Sequence, residues 1–125
     1  MKKFLNRPEN AVEEMLQGLA VLSPGVMRLP DHKVIFRADA EQVRDRQVAV
    51  ISGGGSGHEP AHAGYVGAGM LSASVLGEVF TSPDTDSIVA AIKAVAGKPG
   101  AAVSEALFPN PQASTSIEFG SRRAA

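Results

Sequence analysis

The chain has 125 residues, 44% of them apolar and 20% charged, with a formal net charge of −1. That composition suits one globular domain with a core of its own rather than a disordered chain. No run of Lys or Arg is present, which argues against nucleic acid or membrane as partners; the lack of cysteine rules out disulfides, thiolate metal sites and thiol catalysis. Met1-Lys2-Lys3 is followed by only Phe4-Leu5 before Asn6, so no signal peptide or membrane span is expected, and the default location is cytoplasmic.

The first element expected is a helix. Asn6 is a capping type, Pro8 is tolerated in a first turn, and Val12, Met15, Leu16, Leu19 and Leu22 fall on one face at helical spacing. Ser23-Pro24-Gly25 ends it, and Val26 to Asp31 reads as a connector. Val34-Ile35-Phe36 reads as a short strand, followed by the polar stretch Arg37 to Gln42 and a solvated turn at Arg44-Asp45-Arg46. Val48 to Ile51 is continuous and apolar, the signature of a strand buried on both faces.

Into that strand's carboxyl end runs the densest motif of the chain, Ser52-Gly53-Gly54-Gly55-Ser56-Gly57-His58-Glu59-Pro60. Pro60 to Met70 is a loose helix candidate weakened by Gly64, Gly67 and Gly69. Leu71 to Phe80 is ambiguous, with Val79-Phe80 its most strand-like part. Ser82-Pro83 predicts a cap and first turn for a helix burying Ile88, Ala91, Ile92 and Val95, which Gly97-Lys98-Pro99-Gly100 stops. A further strand should follow a helix in an α/β chain, yet Ala101 to Ala125 shows no sustained period.

Three chemistries compete for the glycine stretch. A phosphate loop of the Walker type needs lysine after its last glycine, where His58 stands, and the dinucleotide spacing fails at His58 and Pro60. His58-Glu59-Pro60-Ala61-His62 spells the zinc-protease pattern, but that chemistry needs both histidines on one continuous helix. Glycines reach Gly57, Pro60 interrupts, and Tyr65 and Ala68 replace the glycine and histidine of the extended pattern. The third reading is a pocket for a small neutral oxygen-rich ligand, with backbone N–H donors and a hydroxyl at Gly55-Ser56-Gly57 and a proton-carrying imidazole at His58. Its competitor is a plain tight turn with a structural histidine; the position after a buried strand favours the pocket.

The run Val48 to Pro60 closely resembles the substrate-binding subunit or domain of the dihydroxyacetone (glycerone) kinases. The similarity continues through His62-Ala63-Gly64-Tyr65-Val66-Gly67-Ala68-Gly69-Met70-Leu71 and Gly77-Glu78-Val79-Phe80-Thr81-Ser82-Pro83, and more weakly to the first helix and Arg37-Ala38-Asp39. The resemblance implies an α/β fold, the amino-terminal part of a DhaK-like domain with a mostly parallel sheet flanked by helices. It implies phosphoryl transfer to a hydroxyl of dihydroxyacetone, with Gly55, Ser56, Gly57 and His58 lining the substrate pocket and His58 as acid/base. No cofactor or metal would bind directly. ATP with magnesium, or a phosphotransferase relay, would act through a nucleotide-binding DhaL-like subunit or domain, and a homodimer is a further partner to expect.

Two departures qualify that resemblance. Family members are longer, and after the helix ending near Gly97 they carry a segment whose lysine and aspartate contact substrate; Ala101 to Pro111 holds neither. A histidine that binds the substrate covalently in the family would fall beyond Ala125, and His32 cannot replace it by position. The expectation is therefore a partial domain over 1–100 and a non-matching tail over 101–125, frameshifted or replaced. The isolated chain should show little kinase activity, and strands 34–36 and 48–51 should be left with unpaired edges and marginal stability. The alternative function is a non-catalytic remnant or subunit-interaction module.

Overall fold

A computed structural model describes residues 2–104. A mixed five-stranded sheet, order β1-β2-β4-β3-β5, forms its centre. The strands are β1 (Val26–Arg28), β2 (Val34–Arg37), β3 (Ala49–Ser56), β4 (Ala73–Val79) and β5 (Ala101–Val103), with helices α1 (Ala11–Leu22), α2 (Ala40–Val43) and α3 (Thr85–Val95). The pairings β1–β2 and β2–β4 are antiparallel, while β4–β3 and β3–β5 are parallel. The α/β architecture expected from the resemblance is present, with its parallel character confined to the half that carries the glycine motif.

Alternation along the strands sorts side chains to the two faces. Val34, Ala49, Ile51, Ala73 and Val75 turn to one face and meet Ile88, Ala91, Ile92 and Val95 of α3. Ile35 and Leu76 turn to the other face and meet Val12 and Leu16 of α1. Leu16 and Ile51 are completely buried, and each contributes on the order of 1.5–3 kcal/mol of transfer free energy. The stripe predicted for α1 thus forms core, except that Leu22, in its last turn, is exposed.

Several local expectations change. The Asn6 side chain does not cap; it donates to Glu14, and a 3₁₀ turn at Pro8–Asn10 leads into α1. Val26 to Arg28, expected as connector, is β1, because its amides find carbonyls on β2. Ser82 does not cap α3 either. Asp84 does, its carboxylate accepting from the Ser87 amide and hydroxyl at 2.8 Å each. Those bonds, the amide first, hold the Asp84 carboxyl below its ordinary value. The polar stretch after β2 contains α2 and a buried cation: Arg37 forks onto Asp39 at 2.6 and 2.8 Å, which raises the guanidinium and lowers the carboxyl. In the expected solvated turn, Arg44 reaches the Ala96 carbonyl and Asp45 accepts from the Lys98 amide, so the turn clamps the end of α3.

The largest revisions concern β3 and the residues after Gly100. A strand does follow α3: β5 pairs Ala101, Ala102 and Val103 with Ala49, Val50 and Ile51. Strands 34–36 and 48–51 are accordingly interior, flanked by β1 and β5, and the expected unpaired edges do not fall on them. The rest of the expected tail, residues 105–125, including the missing lysine and aspartate positions, lies outside the described residues. Burial of β3 is uneven: Ala49, Ile51 and Ser52 are buried, but Val50 is 42% exposed, because α1 packs on the Ile35–Leu76 part of its face and stops short of it. The strand also runs further than expected. The glycines through Ser56 pair with β4, in register to Gly54 and with a register shift between Gly54 and Ser56.

Candidate functional site

Parallel strands need a crossover connection, usually a helix. Between β3 and β4 the crossover is 57–72, and the helix expected over Pro60 to Met70 is replaced by turns with a single 3₁₀ turn at Ala63–Tyr65. Irregular chain at the carboxyl end of a parallel strand is where α/β proteins place ligands. Here it folds over the uncovered face of β3, the face carrying Val50, Ser52 and Gly54. The result is an open depression of about 440 Å³ lined by Val50, Ser52, His62, Tyr65, Met70 and Leu71.

One imidazole, His62, lines it, and a second, His58, lies against that ring. The His58 and His62 rings meet edge to face, centroids 5.9 Å apart at 75°. His62 Nδ1 lies 3.0 Å from Ser52 Oγ, which anchors that ring to the buried strand. Both Nε2 atoms lie over Gly54: a Cβ built there would be 3.7 Å from His58 Nε2 and 3.9 Å from His62 Nε2. His58 is exposed and His62 half-buried.

The four residues expected to line the pocket divide unequally. Gly55 packs: a Cβ there would lie 2.7 Å from the Thr81 amide, so glycine is what lets the chain after β4 close against β3. Ser56 is buried and its hydroxyl donates to the Gly77 carbonyl at 2.8 Å. Gly57 takes φ +119°, a conformation open to glycine, and its N–H donates to the Glu59 carboxylate at 3.1 and 3.2 Å. Beside it Phe80, also left-handed at φ 52°, lays its ring 3.1 Å from where a Gly57 Cβ would be. Only His58 offers an unengaged polar side chain.

Comparison with known proteins matches a Dak1 domain over residues 17–105. The chain belongs to the Dak1 domain family. It is 54% identical over 95 residues to the dihydroxyacetone-binding subunit DhaK of a phosphotransferase-dependent dihydroxyacetone kinase of Listeria innocua, a match covering 75% of this chain and 28% of that protein. Among solved structures, the dihydroxyacetone kinase from C. freundii, in complex with AMP-PNP and Mg2+, superimposes with a TM-score of 0.73 at 41% identity, covering 82% of this chain and 19% of that one. A dihydroxyacetone kinase operon co-activator, Dha-DhaQ, superimposes with a TM-score of 0.66 at 43% identity, covering 73% of this chain and 27% of that one. The chain therefore spans under a third of the relatives it matches.

The Dak1 glycine stretch of this chain carries its own acidic group. Its Gly57 amide already holds a carboxylate, and Glu59 would repel phosphate from the same position. Nor do the described residues gather three or more His, Asp or Glu side chains where they could hold a metal ion. Among the described residues no helix is long and apolar enough to cross a membrane.

Sequence reasoning singled out His58 but passed over Gly54 and Ser52, and weighed His62 only as a zinc partner. One signal was available. Val50, Ser52 and Gly54 stand two residues apart along β3, so the strand's own period puts all three on one face. That His62 returns to that face is a matter of the irregular crossover, which has no period to read.

Proposed function

We propose that this chain forms a wall of a dihydroxyacetone site and serves phosphoryl transfer to a substrate hydroxyl, with His58 as acid/base. The observation that carries the reading is the exposed, unengaged His58 imidazole, whose Nε2 lies over Gly54 at the carboxyl end of β3. Gly55, Ser56 and Gly57 supply the rigid backbone that holds it. In the transfer, the substrate oxygen forms a bond to phosphorus, its proton passes to His58, and the donor's bond to that phosphorus breaks. The donor is ATP with magnesium or a phosphotransferase relay, carried by a partner DhaL-like subunit or domain. By itself the chain has little or no kinase activity.

Calorimetry with dihydroxyacetone tests the reading on the wild-type chain and on His58→Ala. Saturable heat from the wild type, weakened at least ~10-fold in the variant, is the expected result for a lost hydrogen-bonding contact. A wild type that shows no heat ends the proposal. The second reading, a non-catalytic binding or subunit-interaction module, has its own support in the likeness to the operon co-activator. It predicts that dihydroxyacetone binds but is not phosphorylated when a competent nucleotide-binding partner, ATP and magnesium are added.

A further inference from the structure

We infer that His62 is a second substrate-contacting residue of this site, its Nε2 sharing with His58 Nε2 the space above Gly54, with Ser52 as the residue that positions it. The inference rests on the dihydroxyacetone reading and deepens it.

Glycine at position 54 is the first ground. A Cβ at Gly55 would collide with the Thr81 amide, and one at Gly77 would lie 1.8 Å from the Thr81 carbonyl oxygen. At Gly54 nothing of the kind occurs. The nearest atoms to a Cβ there are the two imidazole nitrogens at ordinary contact distance, and φ is not in the left-handed region. Neither packing nor backbone torsion demands glycine at this position. What it leaves is a methyl-sized space bounded by two nitrogen atoms.

The second ground is the state of those nitrogens. His62 Nδ1 is engaged by Ser52 Oγ at 3.0 Å, and Ser52 is buried, so one end of the ring is fixed. Among the described residues neither His62 Nε2 nor His58 Nε2 has a hydrogen-bond partner. The Ser52 contact also sets what Nε2 can do. If the serine hydroxyl donates to Nδ1, Nε2 carries the proton and donates to a ligand oxygen; if Nδ1–H donates to the serine, Nε2 accepts from a ligand hydroxyl. A hydroxyketone offers partners for both.

The third ground is the surroundings. His62 stands between the His58 ring and the depression walled by Val50, Tyr65, Met70 and Leu71. A short carbon skeleton can lie against that wall while its oxygens meet the two nitrogens, the usual division between apolar lining and a few placed polar groups.

The test is titration of dihydroxyacetone into the 125-residue chain carrying 15N-labelled histidine, with calorimetry on His62→Ala, His62→Gln, Ser52→Ala and Gly54→Ala. The His62 Nε2 resonance should move with the same dissociation constant as that of His58. Affinity should fall ~10-fold in His62→Ala and recover in part in His62→Gln, whose amide reaches the same region. Ser52→Ala should weaken binding ~3-fold and displace the His62 Nδ1 resonance before any ligand is added, and the ligand-induced shift of His62 Nε2 should shrink with it, which a serine that only stabilised the strand would not cause. Gly54→Ala should abolish binding while leaving the urea midpoint unchanged. Binding to the wild type with a stationary His62 Nε2 resonance, or with equal affinity in a folded His62→Ala, overturns the inference and leaves the dihydroxyacetone reading standing. No binding to the wild type sinks both. Should His62→Ala fail to fold, the wild-type resonance and Gly54→Ala decide.

Discussion

The two sides of the β3 carboxyl end use the same residue types for opposite purposes. On the inner side Gly55 and Gly77 are consumed by packing, both pressed against the chain at Phe80 and Thr81, and past the register shift Ser56 buries its hydroxyl on the Gly77 carbonyl. On the outer side Gly54, Ser52, His58 and His62 leave a gap bounded by two unengaged nitrogens. The inner side is filled and the outer side is held open. A glycine-rich motif is thus not one functional unit, because alternation along a strand sends its members to different environments.

The largest expected effect lies on the inner side. Gly77→Ala would force its methyl into the Thr81 carbonyl, and unfolding in urea should show a loss of about 3 kcal/mol or more. A loss under about 0.5 kcal/mol would mean that the closure of Thr81 on β4 is loose. Ser56→Ala comes next: it leaves the Gly77 carbonyl without its donor, with an expected cost of about 1–3 kcal/mol in the same measurement.

Smaller again is the cap of α3. Asp84→Ala should cost about 1 kcal/mol through the lost bond to the Ser87 amide. Acid should expose the same contribution in the unaltered chain. Asp39, held low by the Arg37 guanidinium, and Asp84, held low by the Ser87 amide, both sit below their ordinary 3.8 in the folded state. As the pH falls below that value the unfolded chain binds more protons than the folded one. Their stabilisation is therefore complete above the ordinary carboxyl range and drains away as the pH drops through the depressed values. Urea midpoints measured downward from neutral pH should fall in that window, less steeply in Asp84→Asn; an unchanged slope in the variant would remove Asp84 from the account.

The smallest stability change sharpens the comparison most. Gly54→Ala should alter the urea midpoint by less than about 0.5 kcal/mol, since its Cβ meets only ordinary contacts. If it destabilises as much as Gly55→Ala, the outer side is packed like the inner one and the gap is not a site.

Legibility followed periodicity. The α1 and α3 stripes could be read because Val12, Leu16, Ile88 and Ile92 recur at helical spacing, and a stripe that must be buried leaves few alternatives. Val34 to Phe36 was readable for another reason, three consecutive apolar residues of strand-forming types. The short edge strands β1 and β5 were not. Each holds three residues, too few to display a period, and each exists because a neighbour offers it hydrogen bonds. The crossover 57–72 misled in the other direction: its alanines suggested a helix, but its glycines lower helix propensity and no apolar stripe compensates.

By itself the sequence determined the α/β class, the two core-facing helices, the strand that feeds the glycine motif, and an imidazole, His58, at the end of that motif. It did so because those features reside in local spacing and in the chemistry of single residues. Only the tertiary structure decided which glycines are filled and which are open, that Ser56 and the Gly57 amide are spent on Gly77 and Glu59, and that His62 comes back beside His58 with Ser52 behind it. Those facts depend on contacts across the sheet and on an irregular crossover, where the partner of a residue is set by the fold and not by its neighbours in the chain.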